Sequence, residues 1–138
     1  MSLAMSQEER EAFLAEMHVG VIAINDPGRG PLTAPIWYDY EPGGAVRVLI
    51  GPESRKARLL NAGDRVSLVA QQEAMPYRYV SVEGTVSLRP SEDGEILAMA
   101  TRYLGEDMGR AYAEQNTGDN LTVAIDIERW LTVDYGKM

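Results

Sequence analysis

Three cationic side chains lie close together in a chain that is otherwise acidic. Residues 51–60 read GPESRKARLL, so Arg55, Lys56 and Arg58 fall within four positions of a 138-residue chain whose formal net charge is −8. Ser54 can cap a short helix that starts at Arg55 and is closed by Gly63. Cations beside the free N–H groups of a helix start suit a terminal phosphate. The same residues also suit a solvated basic face, and their spacing leaves both interpretations open.

A second stretch, TAPIWYDY at residues 33–40, combines a proline with aromatic side chains. Pro35 has no N–H to donate, so its strand is predicted to lie at a sheet edge or to have an interrupted ladder. Backbone groups left unpaired there can hydrogen-bond a flat heterocycle, and Trp37 can pack against one. The alternative is an aromatic core strand that binds nothing.

A third candidate is the sequence Tyr77-Arg78-Tyr79. On a strand the two tyrosines share one face and Arg78 lies on the other. Arg78 can reach a phosphate or a ribityl hydroxyl, or it can pair with an acidic neighbour. Tyr38, Tyr77 and Tyr79 are the possible proton donors for a substrate, and we find no candidate carboxylate or histidine base.

Several kinds of site are not predicted. The chain has no cysteine, which excludes disulfides and thiolate chemistry, and it has one histidine. A single histidine at a helix end, as His18 is, favours a capping or packing role. A metal site would need to be almost entirely carboxylate, and no spacing of acidic residues indicates one. A phosphate-binding Walker loop and a catalytic triad are also missing.

The composition narrows the classes of partner. The chain is 45% hydrophobic and 25% charged, which is typical of a globular domain. Its acidic balance argues against binding to nucleic acid or to an anionic membrane, because phosphate backbones would be repelled. No apolar run reaches the roughly 18 residues of a membrane span, and the start has no secretory signal pattern. These observations, with the missing cysteines, favour a cytoplasmic location.

The segments before the cationic stretch predict one helix and a set of strands. Residues 6–17 form an amphipathic pattern in which Ser6 and Glu9 complete a capping box. The apolar side chains of this helix, including Met17, share one face. Residues 19–50 alternate between β-rich runs and turn clusters, which predicts a β-meander.

The segments after it predict longer strands and two more helices. The predicted strands are RVSLVA, the long YRYVSVEGTVSLRP and NLTVAIDI, followed by a turn and a final edge strand in ERWLTVDYG; the predicted helices are SEDGEILAMATRYL and EDMGRAYAEQN. Gly84 marks a bulge or bend in the long strand. The fold class is therefore mostly β, an antiparallel β-barrel with flanking helices. We predict a single domain over residues 1–138, with 1–5 set aside as a possible tag or disordered start.

Several of these motifs, in this order, resemble the pyridoxamine 5'-phosphate oxidase-like, flavin-binding split-barrel superfamily. APIWY is followed by SRKAR, DRVSLV and YVSVEGTV, and the succession of SRKA and DRVSLV is the most specific part. The likeness runs from about His18 to Leu88, and the tail resembles short actinobacterial members. It implies a six-stranded antiparallel split barrel that forms a homodimer. It also implies flavin mononucleotide (FMN) or the deazaflavin coenzyme F-420 in a groove at the dimer interface.

The resemblance carries over to particular residues. Arg55 and Lys56 would hold the cofactor phosphate with Ser54 nearby, and Arg78 or Tyr79 matches a further contact. The backbone of the stretch that starts at Thr33 would line the edge of the ring. The implied ring and ribityl positions are Thr33, Ala34, Pro35, Ile36, Trp37, Leu49 and Ile50.

The chain also departs from this family. True pyridoxamine phosphate oxidases carry a C-terminal Arg-x-His segment that handles the substrate and end in Arg-Leu-x-Pro, whereas this chain ends DYGKM and has no histidine after His18. Oxidation of vitamin B6 is therefore not expected. The prediction is a flavin- or deazaflavin-dependent oxidoreductase that acts on an unidentified small molecule. The alternatives are a non-catalytic barrel that holds a flavin, a haem-like group or a lipid, and a structural dimer without a ligand.

Overall fold

Helices and strands alternate with short turns along the chain, and the computed structural model describes residues 2–138. The helices are α1 (Gln7–Ala15), α2 (Arg55–Leu59), α3 (Glu95–Leu104) and α4 (Glu106–Gln115), with a final 3₁₀ turn at Tyr135–Lys137. The strands are β1 (Gly20–Ile24), β2 (Leu32–Ile36), β3 (Tyr38–Tyr40), β4 (Val46–Ile50), β5 (Arg65–Gln72), β6 (Arg78–Pro90) and β7 (Leu121–Asp134).

The strands form one antiparallel sheet that curls on itself. Its order is β2-β1-β5-β6-β7-β4-β3, so β2 and β3 lie at opposite ends. Trp37 alone separates these two strands in the chain, so the two ends of the sheet must meet there. We call this break between Ile36 and Tyr38 the split. The mostly β antiparallel fold is confirmed, but among the described residues there are seven strands rather than six, and hydrogen bonds do not close the sheet.

The barrel interior follows from the period-two alternation of the strands. In β4, for example, Val46, Val48 and Ile50 are buried while the residues between them are partly exposed. Helix α1 packs Phe13 and Leu14 into the same core, where they are 1% and 0% exposed. Burial of such side chains stabilises the fold by about 1.5–3 kcal/mol each.

The first helix has the predicted N-terminal cap, but it is shorter than predicted. The capping box is present, since the Ser6 hydroxyl accepts from the N–H of Glu9 and the Glu9 carboxylate accepts from the N–H of Ser6. The helix ends at Ala15, so Met17 lies beyond it and is 57% exposed rather than on the buried face. Before the helix, Met5 is buried in the core, and the carbonyl of Leu3 accepts from the N–H of Asp134 at 2.8 Å.

The last strand differs from its prediction. β7 is continuous over Leu121–Asp134, so no turn interrupts it at Glu128. Glu128 and Glu83 instead pair with Arg65 across the outside of the sheet, at 3.1 and 3.0 Å. The polar run that indicated a turn is the solvated face of a long strand. Its first part pairs with both β4 and β6, and only its second part is an edge.

None of the helices formed by residues 2–138 is long and apolar enough to cross a membrane.

Candidate functional site

A cavity of about 380 Å³ lies where the split faces helices α3 and α4. Small-molecule sites commonly have volumes of about 300–1,000 Å³. The barrel side of the cavity consists of Val19, Pro35, Ile36, Trp37, Leu49, Ile50, Gly51 and Lys56. The opposite side consists of Ile96, Met99, Tyr112 and Asn120.

Lys56 is the single charged residue in this lining. It is the second residue of α2, and its side chain is partly buried. No salt bridge or side-chain hydrogen bond to it is found among residues 2–138. An unpaired ammonium in an otherwise uncharged cavity attracts an anion, because little competing charge surrounds it.

The neighbours of Lys56 are already engaged. Arg55 forms an ion pair with Asp26, whose side chain is 11% exposed and lies in the turn after β1. The Ser54 hydroxyl donates to the carbonyl of Gly51 at 2.7 Å and accepts from the N–H of Ala57 at 3.2 Å. The predicted helix cap at Ser54 is confirmed, although α2 ends at Leu59. Neither Ser54 nor Arg55 lines the cavity.

An aromatic group forms the wall at the split. The ring of Trp37 stacks on Tyr103 at 5.0 Å between centroids and 6° between planes, and it lies 5.3 Å from Tyr112 at a tilt. The Tyr103 hydroxyl accepts from the N–H of Tyr38 at 3.0 Å and donates to the carbonyl of His18 at 2.6 Å. This hydroxyl is therefore the hydrogen-bond partner of backbone groups at the split, where strand pairing is interrupted.

The helical side of the cavity is fixed by a network of polar side chains. Arg89 at the end of β6 donates two hydrogen bonds of 2.8 Å to the Glu95 carboxylate at the start of α3. The Thr122 hydroxyl on β7 donates to the same carboxylate at 3.1 Å. The hydrogen bonds from Arg89 lower the pKa of Glu95 to about 2. The carboxylate is therefore charged at neutral pH, and it anchors the helix that carries Ile96 and Met99.

Half of the predicted cofactor residues meet at this cavity. Those that line it are Pro35, Ile36, Trp37, Leu49, Ile50 and Lys56. Thr33 lies farther along β2 and is exposed, and Ala34 on the same strand packs partly against the core. The position of β2 at the sheet edge confirms the prediction from Pro35.

The third candidate stretch lies elsewhere on the barrel. Arg78 donates to the side chain of Gln72 at 2.5 Å, and its guanidinium lies 5.1 Å above the ring of Phe13. Tyr79 pairs with Val133 on the neighbouring strand. Neither residue lines the cavity, so within one chain they do not join Lys56.

The structure also shows where the histidine and one of the possible proton donors lie. Tyr38 is fully buried, and its hydroxyl donates to the carbonyl of Leu14 at 2.8 Å. Burial raises the pKa of Tyr38, and this residue does not line the cavity, so its hydroxyl is not placed to protonate a substrate there. His18 stacks on Phe13 at 4.4 Å between ring centroids, which confirms the packing role.

The residues that the sequence analysis missed come mostly from α3, α4 and the loop before β7: Ile96, Met99, Tyr112 and Asn120, together with Val19 and Gly51. Ile96 and Met99 are three positions apart and share one face of α3, which is a detectable pattern. That pattern does not show which strand the face will cover. Within residues 2–138 no group of three or more His, Cys, Asp or Glu side chains is arranged to hold a metal ion.

Comparison with known proteins identifies the family to which the chain belongs. The sequence model of the family described as pyridoxamine 5'-phosphate oxidase matches residues 6–134. The chain belongs to this family, whose fold is the split barrel described above. No curated protein sequence matches the chain significantly.

Solved structures share the fold at low sequence identity. The conserved hypothetical protein Rv2991 from Mycobacterium tuberculosis is 23% identical with a TM-score of 0.78, over 99% of this chain and 89% of that one. An F420 reductase is 20% identical with a TM-score of 0.68, over 88% and 94% of the two chains. An FAD and heme binding protein from Mycobacterium smegmatis is 16% identical with a TM-score of 0.66, over 94% and 71%.

Proposed function

We propose that this protein is an oxidoreductase that uses FMN or the deazaflavin coenzyme F-420. The observation that carries the proposal is Lys56, an unpaired cation in an otherwise uncharged cavity with an aromatic wall. A cofactor with one phosphate and one flat ring has the chemistry that such a cavity complements. Family membership supports the proposal, as do neighbours whose names refer to F420, FAD and heme.

Particular residues would hold such a cofactor. The Lys56 ammonium would bind the phosphate, and Leu49 and Ile50 would lie along the ring or ribityl chain. The backbone between Pro35 and Trp37 would face the pyrimidine edge of the ring, where donors stabilise negative charge on reduction. The bound ring itself supplies the hydride chemistry.

We further propose that a second copy of the chain completes the site. The outer face of the barrel carries a row of three apolar side chains and one serine across four paired strands: Val21, Val69, Ser81 and Leu131. Leu131 is 61% exposed, and Val19 in the cavity lining is 53% exposed. A symmetric contact through this face would cover both, and it would allow Tyr79 of one chain to approach the cofactor of another.

The test is a pair of titrations in which FMN or coenzyme F-420 is added and tryptophan emission is followed. Binding next to Trp37 is expected to quench the tryptophan emission. Because Trp130 is the other tryptophan, the Trp37→Phe variant shows how much of the quenching comes from Trp37. Lys56→Ala is expected to weaken binding tenfold to a hundredfold, since a charged hydrogen bond contributes about 1.5–3 kcal/mol.

Arg58→Ala is the matched control, because Arg58 is an exposed cation of the same helix outside the cavity lining. Its affinity is expected to stay near that of the unchanged protein. Equal losses in the two variants would show a diffuse charge effect. Failure of both cofactors to bind at micromolar concentration would reject the proposed function.

A second candidate function is cofactor binding without turnover. It is favoured by the lining itself, in which no Asp, Glu or His is present and the Tyr112 side chain contributes the one hydroxyl. A protein of this kind would bind the cofactor tightly yet fail to accelerate its reoxidation by any acceptor. Turnover with even one small-molecule acceptor would favour the oxidoreductase.

A further inference from the structure

Helix α4 forms part of the cavity wall, yet most of it is exposed to solvent. Its Tyr112 lines the cavity, and the ring of this residue lies 5.3 Å from that of Trp37. Eight of the ten residues of α4 are exposed, and Gly109 is the buried one. We propose that α4 is a lid, which opens at Tyr112 to admit a flat ligand and closes over it. The inference rests on the proposed function for the identity of that ligand.

The polar contacts that fix α3 have no counterpart in α4. Helix α3 is joined to the barrel by the ion pair of Glu95 with Arg89, and by hydrogen bonds from Tyr103 to the backbone at the split. Within residues 2–138, no side-chain hydrogen bond or ion pair joins α4 to a strand. The ion pair of Asp107 with Arg110 lies inside the helix. Movement of α4 therefore breaks no polar contact with the barrel.

Two apolar contacts position α4 instead. Gly109 lies so close to α3 that a Cβ atom there would come 2.8 Å from the Cα of Thr101. The other contact is the ring of Tyr112 against Trp37, and Tyr112 is still 36% exposed. The contact at Gly109 keeps α4 on α3, whereas the contact at Tyr112 closes the cavity. Segments with few buried apolar contacts open most easily, so the end at Tyr112 is expected to open first.

The segments on both sides of α4 allow this movement. Gly105 joins it to α3 with a φ of 85°, and a Cβ atom there would meet nothing within 4 Å. Residues 116–119, which lead from α4 to the loop before β7, are all exposed. Lids commonly turn on a few such residues at the ends of an element. Helix α4 can therefore swing at Tyr112 while α3 keeps Ile96 and Met99 in the cavity wall.

A lid and a fixed wall differ in their effect on ligand kinetics. A flat ring bound beside Trp37 would be screened from water by the closed helix. A ligand must pass an opening lid both to enter and to leave, so removal of the Tyr112 ring is expected to speed both steps. Removal of a side chain from a fixed wall would take away a contact with the bound ligand and speed its departure alone.

The movement of α4 is measured first on the protein without a ligand. The chain has no cysteine, so introduced cysteines can be spin-labelled selectively. The lid pair is Glu114→Cys with Arg58→Cys, and the control pair is Leu97→Cys on α3 with Arg58→Cys; all three positions are exposed. Dilution with unlabelled protein limits the measurement to distances within one chain. Double electron–electron resonance is expected to give a broad distance distribution for the lid pair and a narrow one for the control pair.

Stopped-flow measurement of FMN binding then tests the role of Tyr112. Tyr112→Ala is expected to raise the association and dissociation rate constants by about tenfold each, since one aromatic contact holds the lid closed. Tyr112→Phe keeps the ring and is expected to leave both constants unchanged. Met108→Ala is the matched control, because Met108 is an exposed apolar residue of the same helix outside the cavity lining.

The outcomes separate the lid from the function on which it rests. If both label pairs give equally narrow distributions, or if Tyr112→Ala changes the dissociation rate alone, the lid is rejected while cofactor binding leaves the proposed function standing. If neither FMN nor coenzyme F-420 binds, the proposed function has failed. A broad distribution for the lid pair in that case would still show that α4 opens.

Discussion

At the scale of single residues, the absence of a side chain at one glycine lets two long strands pair closely. Gly84 lies at the register shift between β6 and β7, where a Cβ atom would come 1.8 Å from the carbonyl oxygen of Asp126. The bulge predicted at this glycine is confirmed. It also lets β7 continue past Asp126 to Asp134 as a single strand.

Gly84→Ala is expected to destabilise the fold by about 1–3 kcal/mol, because the backbone must move to admit a methyl group. Chemical denaturation followed by circular dichroism measures the loss. Gly30→Ala is the matched control, since a Cβ there meets nothing within 4 Å and the backbone is not left-handed. Equal stability of the two variants would contradict the close packing at the bulge.

At the scale of secondary-structure elements, α3 provides a ring and a hydrogen-bonding hydroxyl at the split, where the two ends of the sheet are not hydrogen-bonded to each other. Trp37 separates β2 from β3 along the chain, and Tyr103 on α3 brings both a stacked ring and a hydroxyl to that position. The position of α3 in turn depends on the ion pair between Arg89 and Glu95. The helix therefore joins the two ends of the sheet and forms one side of the cavity.

Tyr103→Phe is expected to keep the stack on Trp37 and to lose the hydrogen bonds to Tyr38 and His18. An unpaired N–H at a partly buried site costs about 1–3 kcal/mol, and the amide of Tyr38 is expected to exchange with solvent faster. Hydrogen exchange measured by NMR gives the rate at that amide. Tyr112→Phe is the control, because the Tyr112 hydroxyl makes no hydrogen bond within residues 2–138. Unchanged exchange at Tyr38 would show that the hydroxyl does not hold the split.

At the scale of the whole molecule, the outer face of the barrel carries a mostly apolar row of side chains. The row that crosses β1, β5, β6 and β7 ends at Leu131, which is 61% exposed. Glu83 lies two positions along β6 from this row, and its partner Arg65 lies four positions along β5 from it. An apolar centre with a charged rim is the composition of an interface between subunits.

Leu131→Glu is expected to turn a dimer into a monomer, because it would place two carboxylates in a symmetric apolar contact. Light scattering coupled to size-exclusion chromatography measures the mass. Met108→Glu is the matched control, since Met108 is 65% exposed and lies on α4 rather than on the four strands of this row. A monomeric unchanged protein, or a dimer that survives Leu131→Glu, would contradict the proposed interface. Weaker cofactor binding by the monomer would show that the second copy contributes to the site.

Local patterns in the sequence predicted the elements well where neighbours in the chain decide them. Ser6 and Glu9 cap α1 as expected, because a capping box is an interaction within one turn. The prediction was wrong at residues 128–130, where a polar run indicated a turn. Glu128 lies instead on the outer face of β7, and its partner Arg65 is distant in the sequence. Local composition cannot distinguish a turn from the solvated side of a long strand.

The sequence by itself determined that this is a β-rich barrel, where its cationic segment lies, and that the stretch around Pro35 and Trp37 lies at a sheet edge. Those features depend on residue type and short spacing, which are properties of the chain alone. Only the tertiary structure decided that Lys56 enters the cavity while Arg55 turns to Asp26, and that α3 and α4 cover Trp37. These outcomes depend on contacts between residues far apart in the sequence, whose geometry exists only once the sheet has curled and its two ends have met.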